Sequence, residues 1–179
     1  MTQDRDDVDV DVDLLVLLVD PVAPRPQTKQ ALLQALAGPW YAPFVRRVAE
    51  LCEIPAAAAE QLLAAVDDIS RWVPGPASGV QAFHIDAGAG LEDAVVGLIR
   101  IAPLALFPAH EHIGAEDALV LQGGFRAGDV DVRAGCELLM PAGSQHELRA
   151  LAEGCLYLGV VRGGLRFADV VVGPEDPRF

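Results

Sequence analysis

The sequence lacks several features that would place it in a familiar class. No apolar run approaches the roughly 20 residues that a membrane helix needs. The apolar run at residues 14–19 follows an acidic stretch, whereas a signal peptide begins with basic residues. Internal repeats and a glycine-rich phosphate-binding loop are also absent from the sequence. We therefore expect a soluble, cytoplasmic protein that does not associate with membranes.

Basic residues and cysteines are both scarce. The 13 Lys and Arg residues are outnumbered by 26 Asp and Glu residues, which gives a formal net charge of -13. DNA, RNA and anionic membranes attract cationic surfaces, so this charge argues against nucleic acid or membrane as a direct partner. Cys52, Cys136 and Cys155 form no Cys-x-x-Cys pair, so neither a disulfide framework nor a thiolate zinc site is indicated. We expect three reduced, mostly buried thiols.

The N-terminal part of the chain divides into two predicted regions. Residues 1–27 comprise an acidic leader, in which Val and Asp alternate, and a proline-rich connector. Repulsion between the aspartates favours a frayed segment over a strand. Residues 28–73 form a predicted helical block. Thr28 can cap its first helix, the second helix covers about residues 43–54, and the third begins at Pro55 and extends its apolar stripe to Ile69.

The helical block carries too few apolar residues to form a large core of its own. Short helices are marginal in water unless an apolar face is buried. We therefore expect the block to pack on the rest of the chain through Leu32, Leu36, Phe44, Leu51, Leu62, Val66 and Trp72. The alternative is that one stripe forms a docking groove for a partner.

Residues 74–179 have a different hydrophobic period. From Val80 onward, short apolar runs alternate with Gly, Pro and Asp, and the period is two. Runs at 80–86, 93–102, 117–122, 129–133, 136–140, 146–150, 155–161 and 165–172 predict strands. Many short strands at this spacing are typical of an antiparallel sandwich or a small barrel, so the fold is predicted to be mainly β.

Three of the four histidines, with one glutamate, form a candidate metal site. His110 and His112 are two residues apart, so a strand places both on one face, and Glu116 returns to that face four residues later. His146 follows a predicted turn at residues 141–143. Nitrogen and carboxylate ligands of this kind suit a divalent transition metal. The alternative is a hydrogen-bonded network without metal. The remaining histidine, His84, is expected to have a structural or surface role.

Residues that alternate in step with the candidate ligands along a strand should face the same side, and they are predicted to line a pocket. Leu106, Ala118 and Val120 share the face of the ligands, and Gln122 and Tyr157 are the polar candidates. We expect a narrow, mainly apolar pocket. Arg100 ends an apolar strand and is expected at the rim with its charge in water. Cys136 and Cys155 lie in apolar strands and are expected in the core.

Two spaced motifs resemble those of the cupin superfamily. His110-Glu-His112-Ile-Gly-Ala-Glu116, followed by Gly123, matches the first cupin motif, His-x-His-x(3–4)-Glu-x(6)-Gly. Gly135-x5-Pro141-x-Gly143-x2-His146 matches the second. The resemblance implies a single-domain cupin, a double-stranded β-helix or jelly-roll barrel, with one divalent metal per chain. Zinc is expected first, and iron, manganese or nickel are alternatives. Leu104 stands where the first motif usually opens with Gly, and Ala150 where the second often closes with Asn.

Within the cupins, residues 107–123 resemble the cupin half of ChrR-type anti-sigma factors. Those regulators carry a helical domain that is built around a zinc site of His and Cys and that sequesters a sigma factor. This chain has no His before His84 and a single Cys, Cys52, in its helical block. We therefore expect that zinc-dependent domain to be missing or degenerate, although a sigma factor remains a candidate partner.

Two functions are consistent with this resemblance. The first is a non-catalytic, ChrR-like regulatory module, in which the metal site senses a small-molecule ligand or stabilises the barrel. The second is a metal-dependent dioxygenase that acts on a small carbonyl compound, because the same subfamily resembles such enzymes. Exposed sheet edges and the positive mean hydropathy of +0.31 also predict a homodimer.

Overall fold

The computed structural model describes Thr28, residues 38–174 and Asp176. The chain separates into two compact units, Met1–Gly38 and Pro39–Phe179. The acidic leader and, apart from Thr28, the first predicted helix lie outside the described residues, as do Leu32 and Leu36. None of the described helices has the length and hydropathy needed to span a bilayer.

Two short helices open the second unit. A 3₁₀ turn, Ala42–Phe44, leads into α1 (Val45–Cys52), and α2 covers Ala56–Ala64. The helix predicted over residues 43–54 is thereby confirmed. Helix α1 ends where Glu53 adopts a left-handed conformation, with φ of 54°, and Pro55 then precedes α2, as its fixed φ favours.

The third predicted helix ends earlier than its apolar stripe suggested. Asp68 accepts a hydrogen bond from the Ser70 backbone N–H at 3.0 Å, which starts a separate 3₁₀ turn, Ile69–Arg71. Ile69 is 81% exposed, so its prediction as part of a buried stripe is wrong. The local Asp–Ser bond competes with continuation of the helix.

Ten strands follow in the described part of the chain, and every paired neighbour is antiparallel. They are β1 (Val73–Pro74), β2 (Val80–His84), β3 (Ala94–Ile101), β4 (Leu106–His112), β5 (Glu116–Ala127), β6 (Val130–Arg133), β7 (Glu137–Met140), β8 (Gln145–Arg162), β9 (Leu165–Phe167) and β10 (Val170–Val172). The prediction of a mainly β fold is confirmed.

Strand β8 is the centre of the sheet. The pairing order is β1-β2-β3-β8-β4-β9-β10, and β5 pairs with β8, β6 and β7. The runs at 146–150 and 155–161, predicted as two strands, form one continuous strand of 18 residues. The first part of β8 pairs with β4, its second part pairs with β3, and β5 pairs along most of its length. One strand therefore connects all parts of the curled sheet.

The buried apolar residues form two clusters on opposite faces of these strands. The outer core lies between the sheet and the helices and contains Val48, Ala49, Cys52, Ala59, Leu63, Val66, Trp72, Phe83, Ile85, Leu91, Val96, Leu98, Leu119, Leu121, Leu156, Leu158 and Val160. The inner core lies inside the curled sheet and contains Val80, Ile101, Phe107, Ala118, Val120, Phe125, Val132, Leu148, Ala150, Cys155 and Tyr157. Phe44, Leu51 and Leu62 pack against the outer core, as predicted for the helical block.

Polar contacts add to this packing of the helices on the sheet. Arg47 on α1 makes a bidentate contact with Glu137 on β7, with its Nη2 donating to Oε2 at 2.7 Å and its Nε donating to Oε1 at 2.9 Å. The Trp72 indole N–H donates to the Val66 carbonyl at 2.9 Å. The described part of the helical block is therefore a brace on the outer face of the sheet.

Two predictions about single residues need correction. Arg100 has only part of its side chain in water: it lines a surface groove, but its guanidinium stacks 4.1 Å from the Trp72 ring centroid and donates to the Val66 carbonyl. Cys136 is exposed rather than buried, because it lies in the turn between β6 and β7 and not inside a strand. Cys52 and Cys155 are buried, as predicted.

Candidate metal centre

Strand β4 carries the first two ligand candidates. His110 and His112 are both buried and Glu111 between them points outward, as the alternation of a strand requires. Outside the sheet, Glu111 accepts from Arg166 on β9 and from Gln145 on β8. A register shift between Phe107 and His110 interrupts the pairing of β4 with β8. Such bulges re-aim side chains next to functional sites.

The other two candidates arrive from neighbouring strands. Glu116 is the first residue of β5 and is buried, at 4% exposure. His146 lies near the start of β8 and pairs directly with His110. A turn precedes it, in which Gly143 has φ of 78° and donates to the His112 carbonyl at 2.7 Å. The two sequence motifs are thus joined by backbone hydrogen bonds.

The four side chains converge on a small volume. One ligand atom from each of His110, His112, Glu116 and His146 lies within 4.8 Å of the others. The Nε2 atom of His146 is 3.0 Å from that of His110 and 3.1 Å from that of His112. Histidine nitrogens bound to one cation at about 2.0–2.1 Å lie at such separations from each other.

The three imidazole rings carry too few N–H protons for the contacts between their nitrogens, which favours a cation between them. His110 Nδ1 is 2.9 Å from the Pro108 carbonyl, an acceptor, so a neutral His110 ring donates there and keeps a lone pair on Nε2. A single proton on His146 Nε2 cannot satisfy both of its nitrogen neighbours. His112 Nδ1 is buried and lies 3.2 Å from Glu116 Oε2 without the alignment of a hydrogen bond. A divalent metal ion fits this donor set.

Burial shifts the ionisation of all four groups. It lowers the pKa of His112 and of His146 to about 4, and the neighbouring histidines add to this shift. Burial also lowers the pKa of His110, against the opposing effect of its bond to Pro108. The rings are therefore neutral near pH 7 and offer lone pairs. Burial raises the pKa of Glu116 to about 8, with a smaller contribution from Asp117. A nearby cation would ionise this carboxyl group.

Glu116 also forms part of the wall of an internal cavity. The cavity measures about 40 Å³ and its lining is almost entirely apolar, with Phe107, Phe167 and Val95 among its members. Tyr157 lines the same cavity, and burial raises the pKa of its phenol well above the usual value. Gly159 makes room for the carboxylate, because a Cβ at this position would lie 3.0 Å from Glu116 Oε1.

The residues predicted to line a pocket are only partly brought together. Tyr157 lines the cavity, while Ala118 and Val120 pack beside it in the inner core. Leu106 is half-buried at the start of β4 and is not part of the cavity lining. Gln122 is exposed in a surface groove, because a register shift after Val120 reverses the parity of β5. His84 lines the cavity but does not belong to the ligand cluster.

Sequence reasoning missed the aromatic side chains beside the ligands. The Phe107 ring lies 5.0 Å from that of His110, and the Phe167 ring lies 5.6 Å from it. Phe107 opens the segment that resembles ChrR, but it lies three residues before His110, so strand alternation places it on the opposite face and only the bulge returns it to the side of His110. Phe167 comes from β9, whose register against β4 has no signal in the sequence.

The two departures from the cupin motifs have different structural consequences. Leu104 has φ of 62°, a left-handed conformation that favours the usual Gly. Ala150 is buried in the inner core, and its backbone N–H donates to the Ala105 carbonyl at 3.0 Å. Neither residue belongs to the ligand cluster.

Comparisons with known proteins agree with this architecture. The model of the ChrR cupin-like domain family matches residues 60–163. The crystal structure of Rhodobacter sphaeroides SigE in complex with the anti-sigma ChrR is similar at 24% identity and a TM-score of 0.54, over 84% of this chain and 74% of that one. An acetylacetone dioxygenase from Acinetobacter johnsonii is similar at 14% identity and a TM-score of 0.52, over 59% and 80%. No curated protein matches the sequence. The predicted cupin fold and the resemblance to ChrR are confirmed.

Proposed function

The chain belongs to the ChrR cupin-like domain family, and from that premise we propose that it is a cytoplasmic, metal-binding regulatory module that senses a small-molecule ligand. One divalent transition metal is held by His110, His112, Glu116 and His146. The observation that carries the proposal is the position of His146 Nε2, at 3.0 Å from His110 Nε2 and 3.1 Å from His112 Nε2, with a proton count that cannot satisfy both contacts.

Zinc is the metal proposed first. Neutral imidazoles and one carboxylate suit zinc, and they also suit iron, manganese and nickel. When bound, the metal would supply a Lewis acid at the wall of the apolar cavity. The residues of the chain contribute orientation: the Pro108 carbonyl fixes the His110 tautomer, and Gly159 leaves space for the carboxylate of Glu116.

Metal content tests the proposal directly. Protein purified without added metal should contain about one metal per chain by elemental analysis. His110→Ala combined with His112→Ala should reduce this to near zero, because two of three nitrogen ligands are removed. The matched control is His84→Ala, which changes the remaining histidine and should retain the metal. Full occupancy in the double variant would show that the site is wrong.

The alternative function is a metal-dependent dioxygenase for a small carbonyl compound. It is supported by the small, apolar cavity beside Glu116 and Tyr157, and by the fold that the chain shares with an acetylacetone dioxygenase. This function requires iron or another oxygen-active metal. Its test is oxygen uptake in the presence of a small diketone. Tightly bound zinc without oxygen uptake favours the regulatory module.

A sigma factor is the proposed protein partner of a regulatory module. The support is the family assignment and the similar anti-sigma ChrR, which is in complex with SigE. Against it, the apolar faces of α1 and α2 are covered by the outer core. A co-purification assay with the sigma factors of the source cell tests this partner. If no sigma factor co-purifies, the remaining proposal is a module that senses a ligand without a sigma-factor partner.

The homodimer expected from the sequence stays a prediction. Strand β10 lies at one end of the pairing order, and its Val171 is 49% exposed. Exposed strand edges with apolar side chains are seldom left uncovered. Sedimentation at micromolar concentration should show a dimer, and monomer alone would contradict the expectation.

A further inference from the structure

A surface groove lies directly outside the ligand strand β4. It measures about 430 Å³, whereas the internal cavity measures about 40 Å³. The groove is lined by Pro74, Gly75, Pro76, Pro108, Ala109, Phe167, Ala168, Val170 and Val172. Its volume is in the range of small-molecule sites, and the cavity alone is far below that range.

Phe167 separates the groove from the cavity. Phe167 lines both spaces, and Val172 is the other residue that they share. The Phe167 ring also lies 5.9 Å from Phe107 and 5.6 Å from His110, between centroids. A molecule in the groove that moves this ring would therefore act directly on a ligand candidate of the metal centre.

The chemistry of the groove selects for neutral, apolar molecules. Three of its residues are prolines, which have no backbone N–H to donate. Among the described residues, no Lys or Arg lines either the groove or the cavity. The nearby guanidinium of Arg166 already binds Glu111 outside the sheet. An anionic molecule would lose its hydration in the groove without gaining a counter-charge.

The geometry points to the groove as the binding site of a small, neutral, apolar molecule, and to Phe167 as the side chain that transmits its binding to His110. This inference deepens the proposed sensing function and rests on it for its biological meaning. The occupancy of the groove does not depend on the metal. A test in metal-free protein therefore separates the two proposals.

Fluorine NMR of the full chain provides the test, with fluorobenzene and 4-fluorobenzoate as matched probes. These probes differ by one carboxylate. Fluorobenzene should give a saturable shift with metal-free protein, and 4-fluorobenzoate should give none at the same concentration. Equal binding of both probes, or no binding of fluorobenzene, would overturn the inference.

Two groove variants and one control locate the probe. Ala109 is exposed on β4, so Ala109→Trp should fill the groove and weaken fluorobenzene binding at least tenfold. Val170→Lys supplies a cation and should produce binding of 4-fluorobenzoate, a gain that misfolding cannot explain. The control Val130→Trp changes an exposed valine on β6, outside the groove lining, and should bind like the parent. Unchanged binding in Ala109→Trp together with no gain in Val170→Lys would refute the groove.

The role of Phe167 is read from the imidazole nitrogen signals of His110, assigned by their loss in His110→Gln. Fluorobenzene should shift these signals in the parent, because the Phe167 ring contacts both the groove and His110. In Phe167→Leu the probe should still bind, but the His110 shift should fall severalfold. An undiminished shift would refute transmission through Phe167. Failure of the metal-binding proposal would show separately, as absence of metal by elemental analysis.

Discussion

The two faces of strands β5 and β8 differ in chemistry although both are buried. On the outer face, Leu119, Leu158 and Val160 meet the helices in a core without buried polar groups from these strands. On the inner face, Glu116 and Tyr157 lie beside three histidines and a cavity. The outer face accounts for stability through apolar burial, whereas the inner face places polar groups where burial shifts their ionisation.

Among the predictions that test this difference between the two faces, removal of the helical brace should have the largest effect on stability. A chain that begins near Pro74 loses the partners of Phe83, Leu98 and Leu158, which are fully buried. The exposed apolar surface should cause loss of solubility or a large drop in melting temperature. Thermal melting and sedimentation of the shortened chain check this. Unchanged melting, with capture of a sigma factor by the separate helical block, would favour a sigma-binding arm instead.

Single substitutions on the two faces should separate stability from metal binding. Leu158→Ala leaves a cavity in the outer core and should lower the free energy of unfolding by about 2–5 kcal/mol, with one metal per chain retained. The double variant of His110 and His112 should lose the metal. Because both histidines are buried, the metal-free double variant should also lose some stability through the cavity that it leaves. Denaturant titration and elemental analysis of both variants test this separation. Loss of the metal from folded Leu158→Ala protein would contradict it.

The inner face should also give the metal-free protein a stability maximum near pH 6.5. The pKa values of His112 and His146 fall from 6.5 to about 4 on folding, so their contribution is present above pH 6.5 and is lost as pH falls through 4. The pKa of Glu116 rises from 4.5 to about 8, so its contribution is present below pH 4.5 and is lost as pH rises through 8.

Two controls separate these opposing contributions. Between pH 4.5 and 6.5 the two histidines outnumber the glutamate, so stability rises with pH. Between pH 6.5 and 8 Glu116 is the member of this cluster that titrates, so stability falls. Glu116→Gln should remove the alkaline fall, and bound metal should remove it as well, because the cation keeps the carboxylate ionised. Thermal melting across pH 5–9 measures both limbs. A flat profile between pH 6.5 and 8 in the metal-free parent would contradict the assignment to Glu116.

The smallest expected effect concerns the loop before β4. Leu104 is 62% exposed and has φ of 62°, so it carries left-handed strain while burying little surface. This strain costs about 1–2 kcal/mol, and the greater freedom of unfolded Gly offsets about 0.5–1 kcal/mol. Leu104→Gly should therefore stabilise the protein by about 0.5–1 kcal/mol in denaturant titration. Ala102→Gly, at a position without positive φ, should destabilise it; stabilisation by both would indicate a cause other than the backbone.

The candidate ligand cluster was predictable because strand spacing and a family motif pointed to the same four residues. His110 and His112 need only the alternation of one strand, and the cupin motif supplied Glu116 and His146. The pocket was predicted less well, because parity does not survive a bulge, as the exposed Gln122 shows. The run from Cys155 to Val161 is apolar on both faces, so the sequence could not tell the outer core from the inner one. The contact of Phe167 with His110 depends on strand pairing between β4 and β9, which no local pattern encodes.

The small space beside Glu116 also affects how relatives of this chain can be interpreted. A methyl group at position 159 would force the carboxylate to move by a few tenths of an ångström, which takes up much of the roughly half an ångström within which metal sites must hold their ligands. Gly to Ala requires a single nucleotide change and leaves every histidine in place. A homologue with all four ligands but Ala at this position should bind metal more weakly. An intact motif in a genome sequence is therefore insufficient evidence of a working metal centre.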